Sequence, residues 1–188
     1  MASAKLSPIL DRVRGKIGSL VFRRFGQGTV LQRTPETTGQ PSSPAQTAQR
    51  ERFKLAAAYA RMVMADPTLK AVYAPRAKNK GIGLFAVCMT DYLVAPEVLD
   101  IDLSRYTGNT GETLGITAID DFEVTEVNVA MTLANGQVLE SGPASLDPAR
   151  ARWVYTTTAA APAGQSVSIE VTALDRPGNK TRRTELFA

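Results

Sequence analysis

Asp120, Asp121, Glu123 and Asp175 are the side chains of this sequence best suited to chemistry. Carboxylates gathered with backbone carbonyls are what calcium takes as ligands. The same residues have a local use, because Asp120 and Asp175 can hydrogen-bond their own turns as Asx residues. No twelve-residue calcium loop or repeat accompanies them, so the turn reading is expected, and with it no metal and no other cofactor. Other chemistries lack parts. There is no histidine, which removes the commonest general base and metal ligand. No G-x-S-x-G elbow exposes a serine. Gly81-x-Gly83 lacks the rest of a phosphate loop and follows a basic stretch, not a strand. Cys88, the single cysteine, excludes an internal disulfide and a cysteine zinc site, and its place in the apolar run Ile82–Met89 predicts an inert buried thiol. A paired-carboxylate hydrolase stays open on residue types alone. The expectation is a protein that is not an enzyme and has no small-molecule substrate.

The second group of interest is cationic and aromatic. Gly15–Arg33 reads GKIGSLVFRRFGQGTVLQR, in which the β-prone runs Ser19–Phe25 and Thr29–Arg33 flank Gly26-Gln27-Gly28, a hairpin signal. In extended chain, Leu20, Phe22 and Arg24 share one face, and Val21, Arg23 and Phe25 the other. A hairpin apolar and cationic on both sides is a poor lone element in water. Phe22, Arg23, Arg24, Phe25 and Arg33 are therefore the expected interface residues, and copies of the same chain the expected partner. The rival reading is nucleic acid. Lys16, Arg23, Arg24, Arg33, Arg50, Arg52, Lys78 and Lys80, with Phe22, Phe25 and Phe53 among them, would neutralise a phosphate backbone. It ranks second, because no named nucleic-acid-binding motif is present and the C-terminal half is acidic.

The net charge of +4 conceals that asymmetry. Through Ala95 there are fifteen Lys/Arg against five Asp/Glu, and from Pro96 onward seven against thirteen. A dipolar molecule of this kind attracts copies of itself head to tail. The N-terminal stretch has no sustained apolar core, so it predicts no signal peptide and cytoplasmic synthesis. No run approaches the ~20 apolar residues that span a bilayer.

The elements that must carry these residues follow in order. Leu6, Ile9, Leu10 and Val13 fit either a short amphipathic helix or a mobile arm, and Thr34–Ser43 reads as a loop. Ser43-Pro44 opens the clearest helix, through Ala65, with an apolar stripe of Phe53, Ala56, Ala57, Ala60, Val63 and Met64. Asp66-Pro67 starts a second helix expected to end near Pro75, before a basic turn closed by Gly81. A third covers Leu84–Val94. Then the period changes to two: Leu114, Ile116, Ala118; Val127, Val129, Met131, Leu133; Trp153, Tyr155; Val167, Ile169, Val171, Ala173. Asn135-Gly136 predicts a type I′ turn. Short strands at regular spacing around one Trp predict a β-sandwich. The expected organisation is an α+β unit over 1–96, a β-hairpin plus two or three helices, followed by an all-β sandwich over 97–188.

Two stretches carry a resemblance. The closing run Val167–Asn179, ending Ala173-x-Asp175-x-x-Gly178-Asn179, and the run Ile116–Phe122 (ITAIDDF) resemble the signatures of bacterial immunoglobulin-like modules. This resemblance covers about half of the chain and implies the sandwich fold. Such modules recur on surface proteins and phage particles, which implies a scaffold or adhesion role. In the front half, Gly15-Lys16-Ile17-Gly18, the FRRF run and SPAQTAQRERF (Ser43–Phe53) resemble a group of bacterial proteins with no established activity. Together these expectations describe a structural protein that self-assembles into a filament, tube or virion-like particle through contacts that need not close.

Overall fold

A computed structural model describes residues 14–25, 28–34 and 41–188, with only the backbone of Arg24 and Phe25. The segment around Leu6, Ile9, Leu10 and Val13, the Gly26-Gln27 of the expected turn and residues 35–40 of the expected loop lie outside it. The chain divides into two compact units, Met1–Ser43 and Pro44–Ala188.

In the first unit β1 (Gly15–Ile17), β2 (Leu20–Phe25) and β3 (Gly28–Arg33) form an antiparallel meander. The hairpin thus gains a strand that the apolar runs did not announce. Ile17 pairs with Leu20, leaving the two-residue loop Gly18-Ser19, and Gly18 supplies the left-handed φ (58°) such a tight connection needs.

The second unit opens with three helices. α1 (Pro44–Ala65) buries Ala56, Ala60 and Val63, the centre of its expected stripe, while Phe53 and Met64 at the stripe's ends stay exposed. α2 (Pro67–Lys80) is capped by Asp66, whose Oδ1 accepts from Thr68 N (2.7 Å) and Leu69 N (3.2 Å). Asp66→Ala is expected to cost about 0.5–2 kcal/mol in denaturant unfolding. An unchanged midpoint would show that this cap contributes nothing. The helix does not end at Pro75. It runs through the proline to Lys80, since burial of Tyr73 and Ala77 on either side outweighs the backbone bond that Pro75 cannot donate. Gly81 N then closes on Ala77 O and Lys78 O. α3 (Leu84–Leu93) completes the layer.

The remaining strands are β4 (Glu97–Asp102), β5 (Thr113–Ile119), β6 (Val124–Leu133), β7 (Val138–Pro143), β8 (Ser145–Asp147), β9 (Arg152–Thr156), β10 (Val167–Asp175) and β11 (Lys180–Phe187). They form two antiparallel sheets, ordered β4-β5-β9-β8 and β11-β10-β6-β7. Inward residues of both sheets, among them Leu114, Ile116, Met131, Ile169 and Val171, share one core. β10 shows why alternation was readable: every second residue from Val167 to Asp175 is buried. Trp153 is half-buried at the margin of this core. Between β6 and β7 the connection is the four residues Ala134–Gln137, closed by Leu133 N to Gln137 O (2.9 Å) and Gly136 N to Leu133 O (2.8 Å). Only Gly136 is left-handed there (φ 84°), so the loop is not the two-residue type I′ turn expected from Asn135-Gly136.

The expected fold class is thereby corrected. Among the described residues the chain is mostly β, with three sheets and with its helices in the middle, rather than an N-terminal α+β unit followed by an all-β domain. The helices belong to one compact unit with the sandwich, not with the hairpin. The physical reason is packing. The helical core of Ala60, Val63, Tyr73, Ala77, Val87 and Cys88 is small, and Phe122 from the sandwich packs against it.

Candidate functional site

Two places gather residues that could act. The first is the β1–β3 sheet, which holds all five residues singled out as an interface. Register decides its faces. Phe22 lies opposite Leu31 and Leu20 opposite both Ile17 and Arg33, so these five side chains share a face. Lys16, Val21 and Gln32 pair across the other face, as do Arg23 and Val30. Along the same pair of strands Arg24 is in register with Thr29 and Phe25 with Gly28. The first face is the more apolar. Ile17, Leu20 and Leu31 are exposed by 64, 40 and 44%, with Phe22 half-buried and Arg33 exposed. The eight cations of the nucleic-acid reading divide between the units. Lys16, Arg23, Arg24 and Arg33 belong to the first, and Arg50, Arg52, Lys78 and Lys80 to the second. Arg52 donates to Leu93 O (3.1 Å), and Lys80 pairs with Asp121 (2.7 Å).

The second place lies where the helical layer meets two turns of the sandwich, and the sequence did not announce it. Asp91, the one charged residue of α3, is fully buried. Its Oδ2 accepts the hydroxyl proton of Tyr73. Since Tyr73 has only that proton to give, Tyr59 donates to the Tyr73 oxygen across 2.7 Å. Phe122 stacks on the Tyr73 ring, with centroids 4.2 Å apart. Asp91 Oδ1 is buried without a hydrogen-bond partner, as is Asp120 Oδ1. From the β10–β11 turn, Asn179 Nδ2 donates to Tyr92 O (3.1 Å) and Asp91 O (3.4 Å), tying the turn to the end of α3.

Burial above all pushes the Asp91 carboxyl up to about 7. The Tyr73 hydroxyl and the Arg176 charge oppose the shift, and the Asp120 and Asp175 carboxylates add to it. Burial likewise raises Tyr59, Tyr73 and Cys88, so the lone thiol sits in the same interior. A lone acid within the apolar run Leu84–Val94 was the only signal that could have found this cluster.

The acidic residues singled out for calcium are otherwise engaged. Asp120 Oδ2 accepts from Phe122 N and Glu123 N, each at 2.9 Å, and Asp175 Oδ1 from Gly178 N (2.8 Å) and Asn179 N (2.6 Å). Asp121 pairs with Lys80, and Glu123 with Arg176 at 2.7 Å. Among the described residues no group of three or more His, Cys, Asp or Glu is placed to hold a metal ion. No described helix is long and apolar enough to cross a membrane.

No family model and no curated protein matches the sequence. Among solved structures the chain is similar to CopC from Methylosinus trichosporium OB3b, with 12% identity, a TM-score of 0.37, and coverage of 49% of this chain and 90% of that one. It is also similar to a conjugative transposon lipoprotein from Bacteroides eggerthii, with 14% identity, a TM-score of 0.28, and coverage of 49% and 93%. A third is the lipoprotein from Bacteroides thetaiotaomicron, with 20% identity, a TM-score of 0.26, and coverage of 50% and 78%. Two of the three are named lipoproteins. The expectation of leaderless cytoplasmic synthesis does not stand, and no cytoplasmic location is assigned to this chain.

Proposed function

We propose that the protein is a non-enzymatic structural component that associates with copies of itself through the β1–β3 sheet, with an immunoglobulin-like sandwich as decoration or lateral contact. One observation carries the reading: Ile17, Leu20, Phe22 and Leu31 lie together on one face of a three-stranded sheet, three of them exposed, with Arg33 beside them. An apolar face rimmed by arginine resembles the centre of a protein interface more than a solvated surface. Strand order supports the immunoglobulin-like reading of the sandwich. The sheets β4-β5-β9-β8 and β11-β10-β6-β7 follow the immunoglobulin orders ABED and GFC, with β7 added beside C. The non-enzymatic reading rests on a histidine-free chain whose only thiol is buried and raised.

Sedimentation velocity across concentration tests the proposal. Nuclease-treated protein is expected to associate, and Phe22→Ser with Phe25→Ser to weaken association at least tenfold while the circular dichroism of the sandwich persists. Native protein that stays monomeric throughout would overturn the reading. Association that vanishes on nuclease treatment and returns with added DNA would favour a nucleic-acid-binding role for the cations instead.

A further inference from the structure

We propose that Asp91 is a pH latch: with its carboxyl protonated, α3 is held shut against the two acidic turns of the sandwich, and with it ionised, α3 opens more readily to solvent. This goes beyond the assembly reading and does not depend on it.

The geometry explains why one proton should matter. Asp91 is fully buried, yet one of its oxygens has a single donor and the other none. A buried carboxylate needs several donors or a close cation to hold its charge cheaply. The groups facing it do not supply them. α1 contributes the Tyr59 hydroxyl and α2 the Tyr73 hydroxyl, while α3 itself adds only the Cys88 thiol. The β5–β6 turn brings Asp120, and the β10–β11 turn brings Asp175 with Arg176. Arg176 favours the anion, but its Nη2 is spent on Glu123 at 2.7 Å. Two facing carboxylates against one committed guanidinium leave the neutral acid as the form this interior suits. Asn179 closes the latch mechanically, because its amide holds the carbonyls of Asp91 and Tyr92 to the sandwich turn.

The sign follows from linkage. In the closed state the carboxyl keeps its proton up to about pH 7, whereas an exposed aspartate releases it near pH 4. Between those values each pH unit favours the open state, by up to about tenfold. Above pH 7 the effect levels off.

Cys88, fully buried on the same helix, reports opening directly. The rate at which 4,4′-dithiodipyridine modifies the intact protein is divided into its rate on an unstructured thiol peptide at the same pH, which removes the thiolate fraction. Native protection of Cys88 is expected to fall at least tenfold between pH 5 and pH 8. Asp91→Asn is expected to hold that change below threefold. Tyr73→Phe removes the donor that lowers the Asp91 pKa, so its protection should keep falling to a higher pH before levelling off. A native change below threefold, or a tenfold change retained in Asp91→Asn, overturns the latch. Should Asp91→Asn not fold, a Tyr73→Phe profile superimposable on the native one overturns it equally.

Discussion

Truncating Tyr73 to alanine is expected to destabilise the second unit by about 3–5 kcal/mol, the usual range for removing a large buried aromatic. Tyr73 is fully buried and is the largest side chain of the helical core. Its loss would unstack Phe122, strand the Tyr59 hydroxyl and leave Asp91 Oδ2 without its donor. Tyr73→Phe keeps the ring but loses both hydroxyl hydrogen bonds, to Asp91 and from Tyr59, and should cost about 1–3 kcal/mol, the net worth of two such bonds. Urea unfolding followed by circular dichroism distinguishes the two variants. Equal costs would mean that the hydroxyl chain, and not the ring, holds the helices on the sandwich. A cost below about 1 kcal/mol for alanine would deny that Tyr73 joins the layers at all.

The second large effect lies within the sandwich. Ile169 is fully buried on β10, which is paired on both sides by β6 and β11. Ile169→Ala is expected to cost about 2–5 kcal/mol, because a site enclosed by two sheets and two neighbouring strands has little room to collapse. Trp153 provides the contrast. Composition marks it as the natural centre of a sandwich, yet it is half-buried at the core's margin and Ile169 is not. Its truncation should therefore cost less than that of Ile169. Thermal or urea midpoints in the reverse order would show that the core is centred on β9, contrary to the packing.

Much of the framework was legible because local rules and tertiary packing agree. Ser43-Pro44 and Asp66-Pro67 mark helix starts with a cap and a residue preset for the first turn, and both helices begin there. Alternation in Val127–Leu133 and Val167–Ala173 survives because each strand buries one face. Illegible strands had no such pattern. In β11, Lys-Thr-Arg-Arg-Thr-Glu-Leu-Phe lies at a sheet edge and buries little, so its sequence carries hardly any alternation to read. Pro75 misled for the opposite reason: the local rule was sound, and burial overrode it.

Local sequence was enough to set where the helices start, which residues of the long strands turn inward, that Asp120 and Asp175 bond their own turns, and that cations gather with phenylalanine in the first forty residues. These follow from one residue's neighbours along the chain. Which elements share a core depends on long-range packing, and that packing moved the helices from the hairpin to the sandwich. It also decided the fate of Asp91. An aspartate on an apolar helix can face water or face inward, and nothing within ten residues of it chooses. Phe122 and Asn179, more than thirty and more than eighty residues away, choose the interior by packing on Tyr73 and holding the end of α3. Desolvation then does to that carboxyl what no local pattern can specify.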